Sequence, residues 1–170
     1  LTRLASKGII SAEDAYIKAV DKAVIEVKFK LAGISLDFKK KAEQAAQQAR
    51  TAKAREQLQA AKTTLASDPK NVEALCAAAW IMATSPFAEL RNGKEAVKFA
   101  EKASDLLRDK DPRTLEILGV AQAENDSFRH ALDATRRAIA LYTQAGDTLR
   151  AGALSSRLPL FEQKKPYRDE

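Results

Sequence analysis

Four residue types occur only once in this 170-residue chain: Met82 and three with chemistry to weigh, the thiol of Cys76, the imidazole of His130 and the indole of Trp80. A lone imidazole with no second His or Cys at ligand spacing reads as a solvated surface histidine rather than a metal ligand or general base. Cys76 reads as a small buried hydrophobe rather than a reactive thiol. Paired Asp and Glu residues recur along the chain, but none is flanked by the nucleophile, oxyanion donors or buried setting that acid/base catalysis needs. The only Gly-Lys pair, Gly93-Lys94, lacks the preceding glycine of a phosphate-cradling loop. Asn125-Asp126-Ser127 fits a glycosylation acceptor, yet these residue types are also expected at a turn. No catalytic set, metal site or cofactor site can be assembled, so the sequence points to a binding chain and away from an enzyme. Trp80 is the sharpest recognition candidate, since an aromatic on a groove wall is a common anchor. The plainer expectation is that it packs under residues 85–93, against Phe87 or Leu90.

The elements that would position these residues are helical. Ser11 can cap a helix from Ala12 to Leu31, with Glu13 and Asp14 in its first turn and Tyr16, Val20, Ala23 or Val24, Val27 and Leu31 recurring at helical spacing. Gly33 ends it. Leu1 to Lys7 forms a short helix that turns back through Gly8. From Ser35 or Asp37 no Gly or Pro interrupts the chain until Pro69, which allows one helix of about 30 residues. Its apolar positions run Phe38, Ala42, Ala45, Ala49 and Ala52, then shift phase to Leu58, Ala61 and Leu65, so two shorter helices are an alternative. Its alanine face is expected to pack on the 12–31 helix and the hairpin that follows. Self-association through 36–67 is the other reading, with Lys39, Lys40 and Lys41 facing an acidic neighbour.

Net charge is +6 and uneven. Residues 1–68 hold 13 Lys and Arg against 8 Asp and Glu, whereas 69–170 hold 16 against 15, which places +5 of the excess in the N-terminal part. These lysines are interspersed with acids and not interleaved with stacking aromatics, which argues against nucleic acid. Binding of nucleic acid or a membrane surface through 18–62 would require a contiguous basic face and steep salt dependence. A single cysteine excludes an internal disulfide and tilts the compartment toward the cytoplasm. No apolar run approaches the roughly 18 residues of a transmembrane helix, and no signal-peptide pattern is present. The first residue is Leu, which suggests a piece of a longer chain.

From Pro112 to Ala145 the residues follow a 34-residue helical-hairpin repeat. Leu115, Leu118, Gly119, Phe128, Ala131, Ala138 and Leu141 take its fourth, seventh, eighth, seventeenth, twentieth, twenty-seventh and thirtieth places. The small residues let paired helices approach closely and the large ones reach the next hairpin, so such a unit needs neighbours. Upstream, Ala79-Trp80, Ala83-Thr84, Pro86, Leu90-Arg91, Gly93, Ala96-Val97, Ala100 and Ala103 precede this hairpin, and Pro166-Tyr167-Arg168 closes the chain. On these residues 69–170 resemble bacterial tetratricopeptide-repeat proteins. The resemblance implies an all-α fold, a tetratricopeptide-type helical-hairpin stack (α-α superhelix) with an N-terminal helical extension and a C-terminal closing helix. Its parts would be an N-terminal segment at 1–53 and a repeat domain at 54–170. The latter divides into a degenerate repeat at 54–71, repeats at 72–111 and 112–145 and a closing helix at 147–163, kinked or broken near Pro159. The connection 85–93 is enlarged, and the tail 164–170 is docked or frayed.

In that family the first helix of each hairpin lines a concave groove. The resemblance therefore implies groove positions at Glu73, Cys76, Trp80, Ala83 and Thr84, at Arg113, Glu116, Val120, Ala123 and Glu124, and at Asp147, Arg150, Leu154, Arg157 and Leu158. An apolar strip with separated charges suits a peptide or protein partner with apolar anchors. The Lys and Asn set that clamps a terminal carboxylate in chaperone-binding members is missing.

A shorter resemblance covers 1–38. Leu4 to Tyr16 and Lys18-Ala19-Val20-Asp21-Lys22 are similar to the C-terminal helical tail of type IV pilus retraction ATPases. It implies a regulatory or assembly extension of such a motor, without the motor's own chemistry.

Overall fold

The computed structural model describes Leu1 to Asp169. Every regular element among the described residues is helical. Two compact units divide between Arg50 and Thr51.

The first unit contains α1 (Thr2–Ser6), α2 (Ala12–Ile17), α3 (Lys22–Leu31) and the start of α4 (Asp37–Ser67). The single helix expected over Ala12 to Leu31 is broken. Asp21 caps α3 by accepting the Val24 N–H, and Lys22 Nζ closes α2 by donating to the carbonyls of Tyr16, Ile17 and Ala19. These polar contacts satisfy helix-end groups that a continuous helix would not expose. The break turns the expected core face outward: Val20, Val24, Val27 and Leu31 are exposed. The core is instead Ala15, Ile25 and Phe29, with Tyr16 set against Phe38 at 5.6 Å between ring centroids.

Helix α4 is one 31-residue element, so the phase shift at 52–58 marks a change of environment and not a break. Residues 41–50 are exposed on every side, including Ala42, Ala45 and Ala49, and Ala52 beyond them. The expected packing of that alanine face is absent, and the stretch stands on the helix propensity of Ala, Gln, Lys and Glu. From Thr51 the covered positions fall at Thr51, Ala54, Leu58, Ala61 and Leu65, one helical face.

The second unit continues with α5 (Val72–Thr84), α6 (Gly93–Leu106), α7 (Pro112–Glu124), α8 (Phe128–Gln144), α9 (Thr148–Ser155) and α10 (Leu158–Glu162). Side chains of Asn71, Asn92, Asp111 and Asp147 cap four of these helices. Consecutive helices pack: α5 on α6, α6 on α7, α7 on α8, α8 on α9, with α5 also meeting α7. Ala96, Ala100, Ala103, Ala131 and Ala138 are fully buried between them. Two glycines permit the closest approaches. A Cβ on Gly119 of α7 would run into Thr135 Oγ1 of α8 and sit 3.3 Å from the Ala131 carbonyl oxygen. A Cβ on Gly93 would lie 2.7 Å from the carbonyl carbon and oxygen of Glu124.

The closing segment breaks into α9 and α10 just before Pro159, which occupies the first turn of α10 where a missing N–H costs nothing. Beyond it the tail is docked. The Asp169 N–H donates to the Thr84 carbonyl at 2.9 Å, and Arg168 reaches the Ala83 carbonyl and Glu124.

Candidate functional site

Within the second unit, α4, α5, α7 and α9 surround one cleft of about 1090 Å³. Gln57, Ala60, Ala61 and Thr64 of α4 form one wall; Glu73, Cys76, Ala77, Trp80 and Ile81 of α5 lie along the floor. Arg113, Glu116 and Ile117 of α7 continue it, and Arg150, Ala153, Leu154 and Arg157 close the far side. Small residues at Ala60, Ala61 and Ala77 leave the space open, because each replaces a side chain that would fill it.

Of the groove positions named from sequence, Glu73, Cys76, Trp80, Arg113, Glu116, Arg150, Leu154 and Arg157 meet at this cleft. Val120 does not. It is buried in the core beside Ala121 and Ile117, one turn too deep along α7. Ala83, Thr84 and Ala123 are likewise fully buried. Glu124 serves a different purpose: Arg91 Nε lies 3.2 Å from its Oε1 and Arg168 Nη1 2.6 Å from its Oε2. That Oε2 is buried without a well-angled hydrogen bond, so the ion pair with Arg168 is what compensates it. The carboxylate thereby ties the 85–92 connection and the C-terminal tail to the end of α7.

Charges in the cleft are mostly paired. Arg113 Nη1 donates to both carboxylate oxygens of Glu73, at 2.9 and 3.0 Å. The inner pair is more enclosed: Arg157 Nη1 donates to Glu116 Oε1 at 2.8 Å, and the Tyr142 O–H donates to Glu116 Oε2 at 3.2 Å. Burial is the main cause that raises the Tyr142 phenol above its ordinary pKa. Arg150 pairs outward, with Asp147 at 3.5 Å, and lies over the Tyr142 ring. Three arginines against Glu73 and Glu116 leave the lining with one positive charge in excess.

Trp80 is not under the 85–93 connection. Its ring is tilted against Tyr167 at 6.2 Å, and its Nε1–H donates to Asp169 Oδ2 at 3.1 Å. The Arg157 guanidinium lies 4.2 Å from the Tyr167 ring centroid and 5.5 Å from that of Trp80. Phe87 and Leu90, the expected partners, are buried in the connection itself. The tail therefore covers one side of the indole and fixes the cation beside it. Cys76 borders the cleft but is almost wholly buried, and that burial pushes its thiol pKa up to about 11. It is an inert part of the floor.

Sequence reasoning missed the α4 wall and the aromatic lid from the tail. The alanines at 60 and 61 and Thr64 share a helical face, but nothing local distinguishes an alanine that opens a cleft from one that packs. No family model, curated protein or solved structure matches the chain.

Proposed function

We propose that residues 54–169 form a tetratricopeptide-type hairpin stack whose cleft holds a segment of a partner protein, without catalysis. The observation that carries this reading is that eight positions drawn from three helices, α5, α7 and the α9 region, line a single cleft. Its chemistry suits a polypeptide. Its lining is more apolar than polar, the ionic groups are spaced along it rather than focused on a point, and the excess charge is one. Tight small-residue contacts at Gly93, Gly119, Ala131 and Ala138 support the stack, because they hold neighbouring helices at a fixed separation on which the cleft depends.

The ligand is a peptide that places an aliphatic side chain against Ile81, Ile117 and Leu154 and a carboxylate near Arg150, the least enclosed cation of the set. Peptides selected from a random display library against the full chain provide the test. Ala77 and Ala60 are exposed, small and at the rim of the floor and wall. Ala77→Arg and Ala60→Arg should fill the cleft without disturbing the core and weaken selected peptides by at least about tenfold, or about 1.4 kcal/mol. Unchanged affinity in both variants would remove the cleft as the binding site.

A further inference from the structure

Two side chains that line the cleft are held from outside it. Trp80 and Arg157 both line the cleft, whereas Tyr167 and Asp169 of the C-terminal tail do not. Asp169 Oδ2 accepts the Trp80 Nε1–H at 3.1 Å, and the Tyr167 ring lies tilted against the indole at 6.2 Å. The same ring carries the Arg157 guanidinium 4.2 Å from its centroid, closer than the indole does at 5.5 Å. Arg157 Nη1 in turn donates to Glu116 Oε1 at 2.8 Å, a pair whose side chains are only 14% and 16% exposed. The tail is fastened independently of these contacts, through the Asp169 N–H on the Thr84 carbonyl at 2.9 Å and through Arg168 on Glu124 at 2.6 Å. It is a fixed support, and the indole and the guanidinium take their places from it.

We infer that Tyr167 and Asp169 are positioning residues of the cleft, so that docking of the tail and binding of a ligand reinforce each other. The inference rests on the reading of the cleft as a peptide site and adds to its determinants residues that never touch the ligand. The place of the tail decides the sign of the coupling. A tail lying in the cleft would compete with a ligand, but no residue beyond Arg157 lines it. Without the Tyr167 ring, Arg157 keeps Glu116 as its partner yet loses the surface that limits its side-chain rotamers. Without Asp169, the indole N–H loses its acceptor and the ring is free to turn. A ligand would then have to order both side chains as it binds, an ordering that the docked tail supplies beforehand. By linkage, a bound ligand must stabilise the docked tail by the same factor.

The test sets Tyr167→Ala with Asp169→Ala in the full chain against Tyr167→Phe with Asp169→Asn, which keeps a ring and an acceptor oxygen. The alanine pair should shift Trp80 emission to the red and raise its quenching by acrylamide. It should also weaken a display-selected peptide by at least about fivefold, whereas the conservative pair should bind as wild type does. Peptide bound to the wild-type chain should slow hydrogen exchange at the Asp169 amide by the factor that the alanine pair loses in affinity. That measurement needs no variant, so it decides even where the alanine pair unfolds: exchange that the peptide does not slow would overturn the inference. Unchanged Trp80 emission and quenching in a folded alanine pair would overturn it too, as would tighter peptide binding, which would make the tail a competitor. A peptide weakened by Ala77→Arg yet indifferent to the alanine pair would overturn the inference and leave the cleft reading intact. A peptide indifferent to both Ala77→Arg and Ala60→Arg would strike the cleft reading, and the inference with it.

Discussion

Replacing Gly119 by alanine sets two effects of opposite sign against each other. In an unconstrained helix interior the change should stabilise by about 1 kcal/mol, because glycine gives up more backbone freedom than alanine. Here the added Cβ would collide with Thr135 Oγ1 and press on the Ala131 carbonyl oxygen, 3.3 Å away. Thr135 is itself buried, so its hydroxyl has little room to retreat. Overpacking of this kind costs about 1–3 kcal/mol, which leaves a net loss of about 1 kcal/mol. Urea unfolding followed at Trp80, the sole tryptophan, reports on the unit that contains both helices. The midpoint should fall by about 0.5 M at a slope of about 2 kcal/mol/M. In a Thr135→Ala background the collision is removed, and Gly119→Ala should become neutral or stabilising, a coupling of about 1 kcal/mol. Gly93→Ala sharpens the contrast, since its Cβ meets Glu124 backbone at 2.7 Å and no truncation can relieve it. Stabilisation by Gly119→Ala in the wild-type background, or the same effect in both backgrounds, would refute the close-packing argument.

Other consequences are open to direct measurement. With its pKa pushed up to about 11 by burial, the Cys76 thiol should resist a disulfide reagent at pH 8 and react fully only once urea unfolds the second unit. Asp109 accepts hydrogen bonds from Arg137 at 2.9 Å and Ser104 at 2.7 Å, and the Arg137 bond is the main cause that lowers its carboxyl pKa. A depressed folded-state pKa contributes stability above the ordinary aspartate value of about 3.9 and loses it as pH falls through the lower folded value. Asp109→Asn should therefore cost stability at pH 7, and the difference from wild type should shrink on acidification toward pH 2; a gap independent of pH would contradict this.

Much of the helical layout was legible because its determinants are local. The closing helix from Asp147 and its break near Pro159 follow from local residue types. The break at 18–21 was not legible from periodicity, since Val20, Val24, Val27 and Leu31 satisfy a helical pattern whichever side faces water. Only the capping by Asp21 and Lys22 shows where the chain turns. Glu73, Cys76, Trp80, Arg113 and Glu116, expected at a groove from the resemblance, are among the residues that line the cleft. Val120 is buried in the core instead. The Trp80 environment failed because its partners, Tyr167 and Asp169, are almost ninety positions away in sequence. Such long-range pairing leaves no mark on local pattern.

The most direct test of the central proposal is chemical-shift mapping of the isotopically labelled chain on addition of a display-selected peptide. The perturbed amides should cluster at Ala60, Thr64, Ala77, Ile81, Arg150 and Ala153, around the cleft. Perturbations concentrated in residues 1–31 or along the exposed face of α8, with the cleft amides unmoved, would contradict it.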